Sequence, residues 1–220
     1  MRPEELALAL RGNPLIICPW GELEWHGAHF PLGLDGPVAE AFRERLAEAT
    51  GGILLPGTWL PMTTLPHANS ISIPAETVCA VWRGLLAELA RVGARTIGLV
   101  TGHYAQGHEL EMYRESQKAM ARREGLRVIA ASPLELLSLG ELLDHAGRSE
   151  AAQLLSVRPD LVRLDLFEEG GNAVIGEDPR GATREEGEKL LADGVEAWTD
   201  ALARWDTQAV LDFYLRWERD

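Results

Sequence analysis

Thr96-Ile97-Gly98-Leu99-Val100-Thr101-Gly102-His103 reads as a buried strand that stops on a glycine and delivers a histidine at its carboxyl end. Upstream, Pro74-Ala75-Glu76-Thr77 opens a helix whose apolar stripe is Val78, Val81, Trp82, Leu85, Leu86 and Leu89, closing near Gly93. Downstream, residues 107–123 read as a helix, Gly125 breaks it, and Leu126 to Ala131 form the next strand. Further out the pattern repeats. Residues 4–11 form a short helix, Leu15-Ile16-Ile17-Cys18 is a buried strand bounded by proline, residues 36–49 are helical, and Ile53-Leu54-Leu55 is a second strand. The proline-spaced stretch 56–74 is an extended connection with one short strand at Ile71-Ser72-Ile73. After Ser132-Pro133 a helical segment runs to about Leu143, an apolar helix continues through Leu155, and Thr183 caps an acidic helix from Arg184 to about Arg204. Strand alternating with helix predicts an α/β fold, an open and mostly parallel sheet covered on both faces. Ligands in such sheets bind beyond the carboxyl ends of the strands. With no repeat and no linker, residues 1–220 are expected to be one domain.

Apolar residues at 46% and charged residues at 25% exclude disordered and fibrous classes. The net charge of -13, with lysines and arginines scattered along helices, argues against nucleic acid or an anionic membrane surface as partner. Two cysteines, Cys18 and Cys79, give no disulfide framework, and the acidic start Met1-Arg2-Pro3-Glu4-Glu5 has no signal-peptide core. A cytoplasmic location is the expectation.

The segment Gly21 to Asp35, directly after the first strand, carries Glu22, Glu24, His26, His29 and Asp35 among glycines and prolines that no helix can run through. Buried carboxylates and imidazoles need compensation, and a divalent metal is the usual one for a mixed His/Asp/Glu set. Glu24-x-His26 puts two side chains on one side of an extended segment, and a turn can return Asp35 beside them. His103, at the end of its own strand, can converge on the same place. The pattern leaves a metal site and a solvent-exposed polar loop both open. His108-Glu109 lacks the second histidine of a His-Glu-x-x-His zinc helix, because Met112 stands there.

Glu24-Trp25-His26-Gly27-Ala28-His29-Phe30-Pro31-Leu32-Gly33-Leu34-Asp35 resembles the Glu-x-His-Gly-x-His-x-Pro-x-x-x-Asp signature of the creatininase amidohydrolases. Thr101-Gly102-His103, His145-Ala146-Gly147-x-x-Glu150 and Gly176-x-Asp178-Pro179 follow in that family's order. The resemblance implies a three-layer α/β/α sandwich, creatininase-like, that assembles as a homohexamer. It implies hydrolysis of an amide or cyclic amide C–N bond in a small-molecule substrate by a hydroxide bridged between two divalent metals. Zinc suits the donors, with manganese or iron as options. Carried across, Glu24 and His26 each hold one metal, Asp35 bridges both and His103 completes the first site. Relatives that place a glutamate two residues after this histidine supply the second site from there. Here Ala105 stands in that position, so Glu150 is the candidate ligand, and His145 the proton shuttle for the leaving nitrogen. His29, Tyr104 and His67 are candidate substrate contacts. Arg148 and Ala151-Ala152 replace a charge and two hydroxyls expected near the cleft, and creatinine itself is a poor candidate substrate. Two other readings stay open: a peptidase or deformylase acting on a modified peptide or nucleotide-derived amide, and a non-catalytic metal-binding oligomer. The apolar tail 209–215 suits a buried end or an interface.

Overall fold

The computed structural model describes residues 1–104, 106–138, 142–168 and 174–204. Position 105, residues 139–141 of the helical segment expected after Pro133, and the tail 209–215 lie outside them, and Leu142 and Leu143, where that segment was expected to end, are not helical. The elements in order are α1 (Pro3–Gly12), β1 (Leu15–Gly21), α2 (Asp35–Thr50), β2 (Ile53–Leu54), β3 (Thr58–Trp59), α3 (Ala75–Val92), β4 (Thr96–Thr101), α4 (Gln106–Arg122), β5 (Arg127–Ala131), α5 (Glu135–Ser138), α6 (Arg148–Val157) and α7 (Arg184–Arg204). The strands form one all-parallel sheet in the order β2-β1-β4-β5, with β3 added beside the end of β1.

Both faces of this sheet are covered, which gives the expected three-layer sandwich. On β1 the side chains of Ile16, Cys18 and Trp20 enter one core with Ile97 and Leu99 of β4, Val128 of β5, and the apolar stripes of α3 and α4. Leu15 and Ile17 point the other way, into a core with Val100, Ile129, Phe42 and Leu46 of α2, and Leu191, Trp198 and Leu202 of α7. The period of two along each strand thus feeds two apolar layers. A third cluster, Phe30, Leu34, Val38, Ala146, Ala151 and Leu154, packs α6 against the start of α2 at the carboxyl ends of the strands.

Two local expectations are corrected. β1 does not stop at the proline but runs through Pro19 to Gly21. The Ile17 carbonyl accepts from Leu55, and β3 pairs only from Trp20 onward, so the N–H that Pro19 lacks falls in the gap between β2 and β3. The strand expected at 71–73 is absent among the described residues, and the short strand is β3 instead. Ile71 and Ile73 donate single hydrogen bonds to the carbonyls of Leu23 and Pro61, which anchors the segment to two places without building a ladder. No helix among the described residues is long and apolar enough to cross a membrane.

Candidate metal centre

Beyond Gly21 the chain leaves the sheet and folds back on itself, closed by a 2.8 Å hydrogen bond from the Glu24 N–H to the Leu32 carbonyl. That return brings Asp35, the first residue of α2, to the strand ends, where a helix N-terminus favours a carboxylate. Gly102 makes the approach possible. A Cβ there would overlap the Asp35 carbonyl oxygen and stand 2.8 Å from its Cα. On the other side Gly21 lies against Gly36, and the Trp59 indole covers Gly33 and Gly36 so closely that neither has room for a side chain. Asp35 is therefore clamped between the end of β4 and a glycine seat under Trp59.

The clamp assembles a fully buried cluster. Asp35 Oδ2 faces His103 Nδ1 at 3.5 Å, and Glu24 Oε2 lies 3.1 Å from the same nitrogen. Asp35 Oδ1 faces His26 Nε2 at 3.4 Å, with Glu150 Oε2 at 3.6 Å from that nitrogen. Two donor sets result, Glu24–Asp35–His103 and His26–Asp35–Glu150, each compact enough to hold one cation, and Asp35 belongs to both. A third set, Glu24–His26–His145, draws on members of the first two. His26 donates from Nδ1 to the Glu24 carbonyl at 3.0 Å, which turns Nε2 toward the cluster, where it offers a lone pair once its proton is displaced. Glu24 Oε2, His26 Nε2 and both Asp35 oxygens have no aligned hydrogen-bond partner among the described residues. Buried polar atoms are rarely left so, and a divalent cation in each set would satisfy them. The donors fit metal.

Of the residues singled out from the sequence, Glu24, His26, Asp35, His103 and Glu150 are thus brought together. His145 joins their edge: its ring lies 4.4 Å over that of His26, Nε2 donates to the Trp25 carbonyl at 3.0 Å, and Nδ1 faces Glu24 Oε2 at 3.5 Å. Its backbone exchanges both hydrogen bonds with Ile175, so the Gly176-x-Asp178-Pro179 block supports His145 from behind. Ala146 follows in the left-handed region at φ 52°, with its N–H donating to Glu150 Oε2 at 2.6 Å. Thr63, φ 58°, is the other non-glycine residue of this kind among the described residues, and it lies in the loop whose Met62 and Leu65 N–H groups donate to Glu22 and Glu24. Such strain persists where the surroundings over-determine it, as at functional sites. Arg148 is turned away, paired with Glu177 and Glu186, and Ala151 and Ala152 are buried in packing, so these replacements do not alter the cluster.

A cavity of about 750 Å³ adjoins this cluster through Trp25 and Leu65. His29 and His67 both line it, and the rings of Trp25 and His67 stack at 3.9 Å and 13°. His29 also bonds the Ala146 carbonyl through Nε2 at 3.1 Å. Tyr104 is not in that lining; its hydroxyl meets the Gln153 side chain of α6 at 3.3 Å. Sequence reading named Glu22, Thr101 and His108 but gave them no part beside His103, behind which they sit, and it missed Asp144, whose two oxygens accept from the Ser149 and Glu150 N–H groups at the start of α6. The only signal for Glu22 was the period of two it shares with Glu24 and His26.

Burial opposes charge throughout, so the signs of the shifts report the partners. On His26 the charges of Glu150 and Asp35, and on His103 those of Asp35 and Glu24, outweigh burial and hold both imidazoles well above their ordinary value of 6.5. Asp35 is held low by His26 and His103, and Glu24 by His103 and His145, against burial. Burial pushes Glu22 up to about 9. In metal-free protein the raised histidines therefore stabilise the fold fully below 6.5 and lose that contribution as pH rises through their folded values. Glu22 acts in the same direction from 4.5 to about 9, while the two low carboxylates lose theirs only as pH falls below their ordinary values. Metal-stripped protein is expected to melt several degrees higher at about pH 5.5 than at about pH 8.5. Because cations displace the imidazole protons, the gain in melting temperature on adding Mn²⁺ should grow with pH. Thermal melts across pH, with chelator and with metal, check both signs.

The sequence matches the family described as creatininase, creatinine amidohydrolase, over residues 1–202. It is 26% identical over 235 residues to the creatinine amidohydrolase of Pseudomonas putida, covering 87% of this chain and 89% of that one. It is 29% identical over 222 residues to a mycofactocin precursor peptide peptidase of Mycolicibacterium smegmatis, covering 87% and 85%. Among solved structures, a creatininase crystal structure superposes with a TM-score of 0.80 at 22% identity, covering 93% of this chain and 95% of that one. The chain belongs to the creatininase family of hydrolases.

Proposed function

We propose that this creatininase-family chain is an amidohydrolase that holds two divalent cations, one in Glu24–Asp35–His103 and one in His26–Asp35–Glu150, and cleaves an amide or cyclic amide C–N bond. The observation that carries the reading is Asp35, whose two buried oxygens face the two sets separately. When bound, the cations polarise the amide carbonyl and lower the pKa of a coordinated water. Asp35 would offer one oxygen to each position. Glu150, from α6, supplies the carboxylate that relatives carry two residues after the ligand histidine. Zinc fits the donors, and manganese and iron stay possible choices on the same grounds. A single domain, a cytoplasmic location and a homohexamer belong to the same reading.

His145 is the proton carrier. Its Nε2–H is committed to the Trp25 carbonyl, so Nδ1 is the atom left to take a proton near the cluster and return it to the leaving nitrogen. Replacing His145→Gln should lower kcat by about 10²–10⁴-fold while leaving the metal content unchanged. Elemental analysis and steady-state kinetics on one preparation separate the two effects.

The adjoining cavity favours a substrate with an apolar flank larger than the ring of creatinine. Phe30, Leu32, Leu65, Phe167 and Val174 line it, Glu168 is the one charged side chain in the described lining, and its 750 Å³ falls in the range of sites for drug-sized ligands. A modified-peptide amide fits this better than creatinine. Trp25→Ala and His67→Ala should each raise KM about two- to tenfold for such a substrate, the worth of an aromatic contact, with kcat largely retained.

The decisive experiment is metal analysis of the purified protein together with a hydrolysis panel spanning creatinine, formamides and short peptide amides. We expect two cations per subunit and a hydrolytic activity lost to chelator and restored by Mn²⁺ or Zn²⁺. Well under one metal per subunit, with no gain on adding either cation, would overturn the proposal. Metal binding without hydrolysis of any amide would favour a non-catalytic binding protein.

A further inference from the structure

Behind His103, on the side away from the carboxylates, three fully buried polar side chains stand in line. The His103 N–H donates to Thr101 Oγ1 at 3.2 Å. The same oxygen lies 3.0 Å from His108 Nε2, and His108 Nδ1 lies 3.1 Å from Glu22 Oε1, a close contact that is not aligned as a hydrogen bond. Glu22 Oε2 in turn accepts the Met62 N–H at 2.7 Å. The His108 ring is held edge-on between the Trp82 ring, 5.2 Å away at 84°, and the His103 ring, 5.2 Å away at 87°. Four separate pieces of chain meet here: the end of β1, the loop through Met62, the end of β4 and the first turns of α4.

We propose that Glu22, His108 and Thr101 act as positioning residues that fix the backbone and ring of His103, and so set the affinity of the Glu24–Asp35–His103 position for a divalent cation. The inference rests on the two-cation reading above. A core histidine that merely fills space needs no polar line behind it, since an apolar side chain packs there at less cost. Here the line ends on the ligand itself. Thr101 can accept from the His103 N–H while its own hydroxyl hydrogen goes to His108 Nε2. That leaves the proton of His108 on Nδ1, facing Glu22. Thr101 thereby holds the backbone of His103, and the His108 ring lies edge-on against the His103 ring. Polar groups standing behind metal ligands are typically worth 10–100-fold in affinity. The same line ties the metal position to the loop 62–67, because Met62 donates to Glu22 and Leu65 donates to Glu24.

The test is calorimetric titration of the metal-stripped full chain with Mn²⁺ alone, alongside thermal melts. The parent should show two binding events. Thr101→Val, nearly isosteric, should weaken one of them about 10–100-fold and leave the other within a few-fold, while Thr101→Ser restores the parent values. His108→Phe, which keeps the ring packing and removes both nitrogens, should weaken the same event. If Thr101→Val is too unstable to titrate, His108→Phe and the Thr101→Ser control decide. Parent-like binding in the valine and phenylalanine variants would overturn the inference, as would a serine variant as weak as the valine one. Failure of the parent to bind Mn²⁺ at all would instead overturn the two-cation reading on which this stands.

Discussion

Asp35→Asn is expected to empty both metal positions at once. The change exchanges one carboxylate oxygen for an amide nitrogen and leaves the side chain's shape nearly intact. Asp35 is fully buried, and its two oxygens serve different sets, Oδ1 toward His26 and Glu150 and Oδ2 toward Glu24 and His103. Whichever way an amide is turned, one set receives N–H donors where a cation needs a lone pair, and the negative charge is gone from both. Amide hydrolysis should fall on the order of 10⁴-fold or more, as when a catalytic centre is dismantled as a unit. The contrast with single-set variants makes the result diagnostic. Glu24→Gln should weaken only the position shared with His103, and Glu150→Gln only the one shared with His26. Metal content after dialysis against a weak chelator reads all three, and a variant at Asp35 that retains one full equivalent would show that the aspartate does not bridge.

Gly102→Ala should damage the same centre without touching a ligand. The added carbon would overlap the Asp35 carbonyl oxygen and lie 2.7 Å from its carbonyl carbon, so backbone meets backbone and no flexible side chain can yield. Either the turn carrying Asp35 or the end of β4 carrying His103 has to move. Overpacking of this kind typically costs about 1–3 kcal/mol, a drop of several degrees in melting temperature for a chain of this size. Metal affinity should fall at both positions, since Asp35 is common to them. Gly98→Ala is the control within the same strand: its carbon would meet only the Trp198 ring at 3.4 Å. Equal losses in the two variants would mean that the effect is one of strand propensity and not of the approach to Asp35.

The sequence was most readable where local chemistry and the overall fold agree. The strand Thr96–Thr101 is found with the expected ends, and the acidic helix begins where the Thr183 hydroxyl accepts the Glu186 N–H. Glu24, His26 and His103 were legible because each follows a strand end within a few residues, where parallel sheets gather their ligands, and Asp35 because a glycine- and proline-rich turn can return it beside them. Glu150 was legible as a donor looking for a second set. The contact of Glu22 with His108 was not, because the side to which Glu22 points in its irregular segment, and the place where α4 brings His108, depend on the path of chain far away. The pairing of His108 with Glu22 appears only once α4 has docked over the end of β1. The same holds for Trp59. Nothing local marks it as the cover of the turn around Asp35, since its seat is made of Gly33 and Gly36, brought to it by tertiary packing. Likewise β3, two residues long, exists because β1 offers it an edge.

The two donor sets take their members from the β1–α2 connection, from the end of β4 and from α6, and none of the sets is complete within one of these pieces. An unfolded chain therefore presents no preformed chelate, and a partly folded one lacks the first set until the end of β4 has joined the β1–α2 connection and the second until α6 has. Cations that bind only the finished arrangement add stability by mass action on the native state. They cannot speed the search for it. Their influence should fall on the rate of unfolding, with folding left nearly unchanged, so that the filled protein is long-lived more than it is quickly made.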